Sequence, residues 1–297
     1  MIPVTSTTPP TLDEVCEQAL RLPCAPSLLP RLITVLQDNA SGADDIEAII
    51  RLDPALSAAT LRVANSAFFA TGEPVASVAE AVIRLGMREI FRLSALALIN
   101  RWETGSGRGA YRGDPGDFCR HALCTALAAE ALAESTERVD PQSAYTAGLV
   151  CDLGKLAVAH ACGPFFPAIR LEQTRIGGAW TRAEREVLGY DHTQVGAQLL
   201  TTWHFPPALV TAAQFFHQPL LAPEDARPLL AHLHAAKYLA ICFGPGVAED
   251  GFHFELNEAF LLEWGFTPEF LQEMLPVVLE RASARLRDKL TFGAVAL

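Results

Sequence analysis

The chain has 297 residues, 50% of them apolar and 19% charged, enough to bury one large core or two modest ones, which excludes disorder for most of its length. Asp and Glu number 34 against 23 Lys and Arg, a formal charge of −11 that repels phosphate backbones and argues against a nucleic-acid partner. No apolar run approaches the ~18 residues that cross a bilayer, and the opening MIPVTSTTPP lacks the charged-then-apolar order of a signal peptide, so the expectation is a soluble, cytoplasmic protein with no membrane partner.

Residues 1–20 begin Thr/Pro-rich and without periodicity, which predicts a partly disordered tail. From Leu22 onward the spacing is helical. Ile46, Ile49 and Ile50, then Val78, Ala81, Val82 and Leu85, each fall on one face of an amphipathic helix. Ser77 with Glu80 forms a capping-box pattern, Gly86 supplies a left-handed stop, and Met87 starts a helix reaching to about Trp102. Residues 21–104 are thus expected to form an N-terminal helical lobe.

The stretch GSGRGAYRGDPG at 105–116 carries five glycines and reads as a linker. Its Arg108 and Arg112 could meet a phosphate, but no strand precedes them and no Lys-Ser/Thr follows, as a P-loop requires. Beyond it, helix starts are marked by Asp117, by Asp140-Pro141, by Thr181 with Glu184, by Asp191 before His192, and by Thr267-Pro268. No segment alternates with period two for long. The expected class is all-α, about a dozen helices in two lobes, the second spanning 117–297. In its last helix Phe270, Leu271, Met274, Leu275 and Val278 suit either core or a dimer face.

Seven cysteines, at 16, 24, 119, 124, 151, 162 and 242, form no CxxC pair. The odd count leaves one unpaired in any disulfide scheme, which favours a reduced compartment and small buried hydrophobes. Of eight histidines, His160, His204, His232, His234 and His253 read as surface or satisfied core residues, since their surroundings supply no ligand pattern. His121, His192 and His217, with Asp152, sit where helices start, end or break, and that is where distant metal ligands can converge. The bland alternative for His192 and His217 is a helix-end cap, with His217 gaining from the helix dipole when charged.

The segment TAGLVCDLGKL at 146–156 resembles the "GLLHDIGKL" signature of the HD superfamily of metal-dependent phosphohydrolases, with Cys151-Asp152 in place of the His-Asp pair. His121 matches the upstream histidine of that superfamily. LPCAPSLLPRL at 22–32, IRLDPALSAATLRVANSAFF at 50–69 and SVAEAVIRLGMREI at 77–90 look like the diagnostic run of the HDOD family, the HD-related output domain of bacterial signalling proteins. GYDHTQVGAQLLTTWHFP at 189–206 and FHQP at 216–219 extend the resemblance over nearly the whole chain after residue 20. It implies an all-helical, two-lobed fold. Arg62, Asn65 and Ser66, spaced three and four apart on a helix beside Phe68, read from that spacing as an interface with the second lobe, with ligand binding as the alternative.

Against an active HD hydrolase the chain departs twice: Cys151 replaces a histidine, and Lys237, in HLHAAKYLA at 232–240, stands where the resemblance places the late aspartate. An ammonium near a divalent ion is repelled; even two unit charges about 4 Å apart cost about 4 kcal/mol at an effective dielectric of 20. Paired with Asp152, the same ammonium would instead stand in for the metal. The resemblance therefore implies a vestigial HD site of His121, Cys151, Asp152 and Lys237 with no catalytic residue and no cofactor. Lys155, His192 and His217 are pocket or anion-binding candidates, and a nucleotide or other anion is the expected small ligand. The function implied is a non-catalytic signal-transduction output module whose partners are signalling proteins: a sensor kinase, a receiver, or a component of a cyclic-dinucleotide pathway. The chain starts almost directly at the HDOD motif, so its input is expected from a separate protein, a lost fusion partner or a small ligand. The alternative is a metal-dependent phosphohydrolase in which His121, Asp152, His192 and His217 hold Zn, Mn or Fe.

Overall fold

The structure, a computed structural model, describes residues 8–21, 28–38, 40–66, 69, 73–105, 110–244 and 246–287. Among these every regular element is helical, and they divide into two compact units. One contains the described residues of 1–22 and 106–282, the other those of 23–105 and 283–297. No single helix among them is long and apolar enough to cross a membrane.

Helix α1 (Leu12–Leu20) belongs to the first unit, and α2 (Leu29–Gln37), α3 (Ala43–Ile50), α4 (Pro54–Ala64), α5 (Val78–Leu85) and α6 (Met87–Gly105) form the second. Local chemistry explains their ends. Asp53 caps α4 by accepting from Leu56 N at 3.0 Å, Pro54 presets the first turn, and the second carboxylate oxygen binds Arg101 of α6 at 2.5 Å. Ser77 accepts from Glu80 N at 3.2 Å, but the Glu80 carboxylate returns to Ala76 N (3.0 Å), so the box closes one residue early. Gly86 has φ +78°, the predicted stop. Asn65 clamps Val75 from both sides, donating to its carbonyl at 2.8 Å and accepting from its amide at 2.7 Å, which fixes the chain after α4 within this unit. Arg62 is half-buried and Ser66 buried in the same unit, while Phe68 lies outside the described residues.

The first unit continues with α7 (Asp117–Thr136), α8 (Pro141–Val150), α9 (Leu153–Ala161), α10 (Phe166–Ile176), α11 (Trp180–Leu188), α12 (His192–Thr202), α13 (Pro207–Phe215), α14 (Arg227–Phe243), α15 (Glu258–Glu263) and α16 (Pro268–Arg287) as far as Ala282. Its core is α7 against α8 and α14, with α12 crossing α9 and α13. Leu271, Met274 and Val278 of α16 are buried, the core alternative for that helix.

Three expected boundaries need correction. Residues 12–20 are not tail: Thr11 and Glu14 form a reciprocal capping box, and Val15, Cys16 and Ala19 are buried where α1 packs on α9 and α12. The Gly-rich stretch is not linker throughout, because Ala110 and Tyr111 are anchored in the first unit. The Ala110 carbonyl accepts from Arg170 at 2.5 Å and the Tyr111 hydroxyl donates to Glu184 at 2.8 Å. Residues 106–109, Arg108 included, lie outside the described residues. Finally, the described residues 283–287 count with the other unit, where Arg285 donates to Glu89 of α6 at 2.8 Å, and residues 288–297 lie outside the described residues.

Candidate functional site

The motif TAGLVCDLGKL straddles the break between α8 and α9, and its two glycines are crossing points. A Cβ at Gly148 would stand 2.7 Å from Ala126 Cα of α7, the helix that carries His121. One at Gly154 would stand 1.9 Å from the carbonyl oxygen of His192, at the start of α12. Only a bare backbone lets these helices close on the motif, and closure surrounds Asp152 with charged and imidazole groups.

Asp152, 3% exposed, is the hub. One carboxylate oxygen is 2.9 Å from Lys155 Nζ, and the other accepts from Lys237 Nζ of α14. Lys155 reaches on to Asp250 Oδ2 at 2.5 Å, in the short 3-10 turn Glu249–His253. Arg170 holds that turn by a bidentate pair to Glu249, at 2.9 and 2.8 Å. Burial alone would raise the Asp152 pKa, but the two ammonium groups keep it well below the ordinary carboxylate range. Asp250 is lowered by the same two lysines against its own burial. For Lys155, burial opposes the charge, yet Asp152 and Asp250 raise its pKa above the ordinary value.

Beside this cluster lies an imidazole pair. His192 Nδ1 is 2.7 Å from Glu184 Oε2, its Nε2 is 3.2 Å from His217 Nε2, and Asp152 Oδ1 is 4.0 Å away. Burial disfavours protonation of His192, but the Glu184 carboxylate outweighs it and raises the pKa. His217 is driven well below its usual value by burial first and then by His192. The two shifts run in opposite directions across one contact: His192 is raised where its Nδ1 meets Glu184, and His217 is lowered where its Nε2 meets the His192 ring. Glu184 is saturated: its Oε1 accepts from Tyr111 Oη (2.8 Å) and Trp180 Nε1 (3.0 Å), its Oε2 from His192 N (2.9 Å) and Nδ1. His234 fixes the backbone under His217, donating from Nδ1 to the Phe216 carbonyl at 2.7 Å while its Nε2 accepts from Asn257 N at 2.9 Å. It is a satisfied core histidine, as is His232, bonded to Pro228 O and Thr136 Oγ1.

The structure thus gathers Asp152, Lys155, Lys237, His192 and His217. His121 is buried nearby on α7, its pKa pushed down to about 3 by burial and by Lys237, with Nδ1 unpartnered. Cys151 closes α8 and turns its thiol to the Gly148 carbonyl at 3.5 Å; burial and then Asp152 push its pKa up to about 12, so it is a neutral thiol. The lowered pKa of His217, from burial first and then from His192, disfavours the charged form that the helix-end cap alternative would have favoured. Two members were missed from sequence. Asp250 lies in a turn without periodicity, and Glu184 was read as the cap partner of Thr181, whereas α11 starts at Trp180 and Glu184 is fully buried.

Asp152, His192 and His217 place one ligand atom each within 4.8 Å of one another, the spacing of a metal site. The surroundings do not fit a divalent ion. Each Asp152 oxygen already meets an ammonium, Cys151 is protonated, and His121 is not in the group. Asp152 and Asp250 carry two negative charges, and Lys155 and Lys237 carry two positive ones, so an added 2+ ion would be uncompensated. Against a single ammonium about 4 Å away it would be opposed by roughly 8 kcal/mol at a dielectric of 20. Both lysines are likewise paired with carboxylates.

The family model of the HDOD domain matches residues 22–219. An uncharacterized protein of Treponema pallidum (strain Nichols) is 26% identical over 222 residues, and the chain spans only 40% of that relative's length. Among solved structures, an HDOD domain protein of unknown function from Geobacter sulfurreducens superposes with a TM-score of 0.68 at 20% identity, covering 95% of this chain and 96% of that one. A provisionally described phosphohydrolase from Shewanella amazonensis SB2B gives 0.66 at 24%, covering 96% and 98%. A chain from Marinobacter aquaeolei VT8, provisionally described as a signal transduction protein, gives 0.73 at 23%, covering 95% and 61%. At these identities the likeness establishes the all-helical fold.

Proposed function

The chain belongs to the HDOD domain family, and from that premise we propose that it is a non-catalytic signal-transduction output module, acting by binding a protein partner, with a pocket closed by internal ion pairs. The observation that carries this reading is Asp152, whose two oxygens are held by Lys155 and Lys237 in a cluster of balanced charge. A hydrolytic site needs an open coordination position and a water to activate, and the carboxylate that would anchor the ion is engaged on both sides. Partners of the signalling kind, a sensor kinase, a receiver or a cyclic-dinucleotide pathway protein, suit the family. A protein partner is preferred to an anion because neither lysine is free.

The competing reading, a metal-dependent phosphohydrolase, draws on the convergence of Asp152, His192 and His217. Elemental mass spectrometry of the tag-free protein, with turnover assayed on a cyclic dinucleotide and on a simple phosphodiester, separates the two. The module predicts no stoichiometric metal and no turnover. About one ion per chain, lost together with turnover in Asp152→Ala, would overturn it in favour of the hydrolase.

A further inference from the structure

Leu220 and Leu221, neighbours in the 3-10 turn Pro219–Leu221, are 49% and 68% exposed. They are held in place: Pro219 and Ala222 on either side are buried, and Leu221 N donates to the Gln218 carbonyl at 3.0 Å. Two large apolar side chains presented on a fixed turn lose little freedom on contact, which favours docking. They form one wall of an open groove of about 440 Å³, whose other walls include His217, Leu256, Glu255 and Glu258. Arg227, the cation beginning the next helix, turns back toward the Leu220 carbonyl (3.5 Å). The groove thus sets Leu220, Leu221 and Leu256 among the polar His217, Gln218 and Asn257, and its charged lining residues, Glu255 and Glu258, are both acidic, on a chain of net charge −11.

We propose that this groove docks a segment of a partner protein in which apolar residues are flanked by Lys or Arg. Charge complementarity selects that occupant: an acidic partner would be repelled, and so would a second copy of this chain facing its own glutamates. His217 lines the groove while its Nε2 lies 3.2 Å from His192, so an occupant would bear on the imidazole pair beside Asp152. The inference rests on the protein-binding reading above and names the surface for it.

Fluorescence anisotropy of a labelled amphipathic Leu/Lys peptide against the full chain tests it, with a Leu/Glu peptide as control and sedimentation velocity run in parallel. Leu220→Ser/Leu221→Ser removes the apolar wall without altering charge or any buried residue. The expected result is binding of the Leu/Lys peptide only, weakened about tenfold or more in the serine variant and further weakened by Glu258→Gln. Equal binding to the serine variant would overturn the proposal, since the peptide would then be held by general charge. A dimer that dissolves in the serine variant and excludes the peptide would overturn it as well, by naming a second copy as the occupant. Metal-dependent turnover would remove the non-catalytic reading and leave this surface untouched, so the two failures are distinguishable.

Discussion

Asp152→Asn is the sharpest test of the closed pocket. Asp152, Lys155, Lys237 and Asp250 have side chains 4%, 7%, 1% and 7% exposed, and their charges cancel. Asn keeps the shape but leaves Lys237 buried without its carboxylate, a situation that typically costs about 3–5 kcal/mol. For a unit of this size 1 kcal/mol shifts Tm by about 2–4 °C, so the melting transition should fall by roughly 6–20 °C. Lys237→Met should cost less, because Asp152 keeps Lys155 at 2.9 Å. Combining the two restores neutrality, and the double variant should melt well above Asp152→Asn alone, the two changes coupling by about 2 kcal/mol or more. Scanning calorimetry of the four proteins completes the cycle. If Asp152→Asn melts within about 2 °C of the parent, or if the two changes simply add, the ion pairs do not sustain the pocket and the reasoning fails.

Two further outcomes follow from the same geometry. His121 titrates at about 3 when folded and near 6.5 when unfolded, so its contribution to stability is full above pH 6.5 and is lost as pH falls toward 3, at about 1.4 kcal/mol per unit. His217, also lowered, acts with the same sign, whereas His192, raised by Glu184, contributes below pH 6.5 and loses that contribution as pH rises through its folded pKa. Denaturant melts between pH 6.5 and 4.5 should therefore show a slope that His121→Leu reduces by about one proton; an unchanged slope would count against the buried, neutral imidazole. Gly154→Ala would drive a Cβ to 1.9 Å from the His192 carbonyl and should destabilise by about 1–3 kcal/mol or more, while Gly163→Ala, with open space around it, should be near neutral. Thermal shifts of the pair would separate crossing geometry from a general intolerance of lost glycines.

How much of this was legible in the sequence depended on the range of the physics involved. Helix starts at Asp140-Pro141 and Asp191 were readable because capping is settled within four residues, and the structure has Asp140 accepting from Ser143 N and Asp191 from Gln194 N. The same local rule should have found α1, since Thr11-x-x-Glu14 is a capping box in plain view; the Thr/Pro-rich residues before it obscured it. The rule also misled at Thr181-x-x-Glu184, where an identical pattern carries a carboxylate that turns inward. The pattern alone does not distinguish the two, because the difference lies in Tyr111 and His192, which arrive from beyond the helix and join its own Trp180 on the carboxylate.

The same distinction separates the members of the site from their arrangement. His121, Asp152, His192, His217 and Lys237 were each recognisable by type and position, but a ligand set and a salt-bridged plug draw on the same residues. Asp250 decides between them, and it sits in a turn that no periodicity marks. By holding Lys155 at 2.5 Å it lets that ammonium occupy the Asp152 oxygen that faces His192, while Lys237 occupies the other. Without Asp250, Lys155 would be a lone buried cation beside one already paired carboxylate, and the cluster would carry an excess positive charge that only an incoming anion could relieve. With it, the charges of the cluster pair from within, which is why the proposed recognition is placed on the surface, where Leu220 and Leu221 are exposed and share a groove with His217.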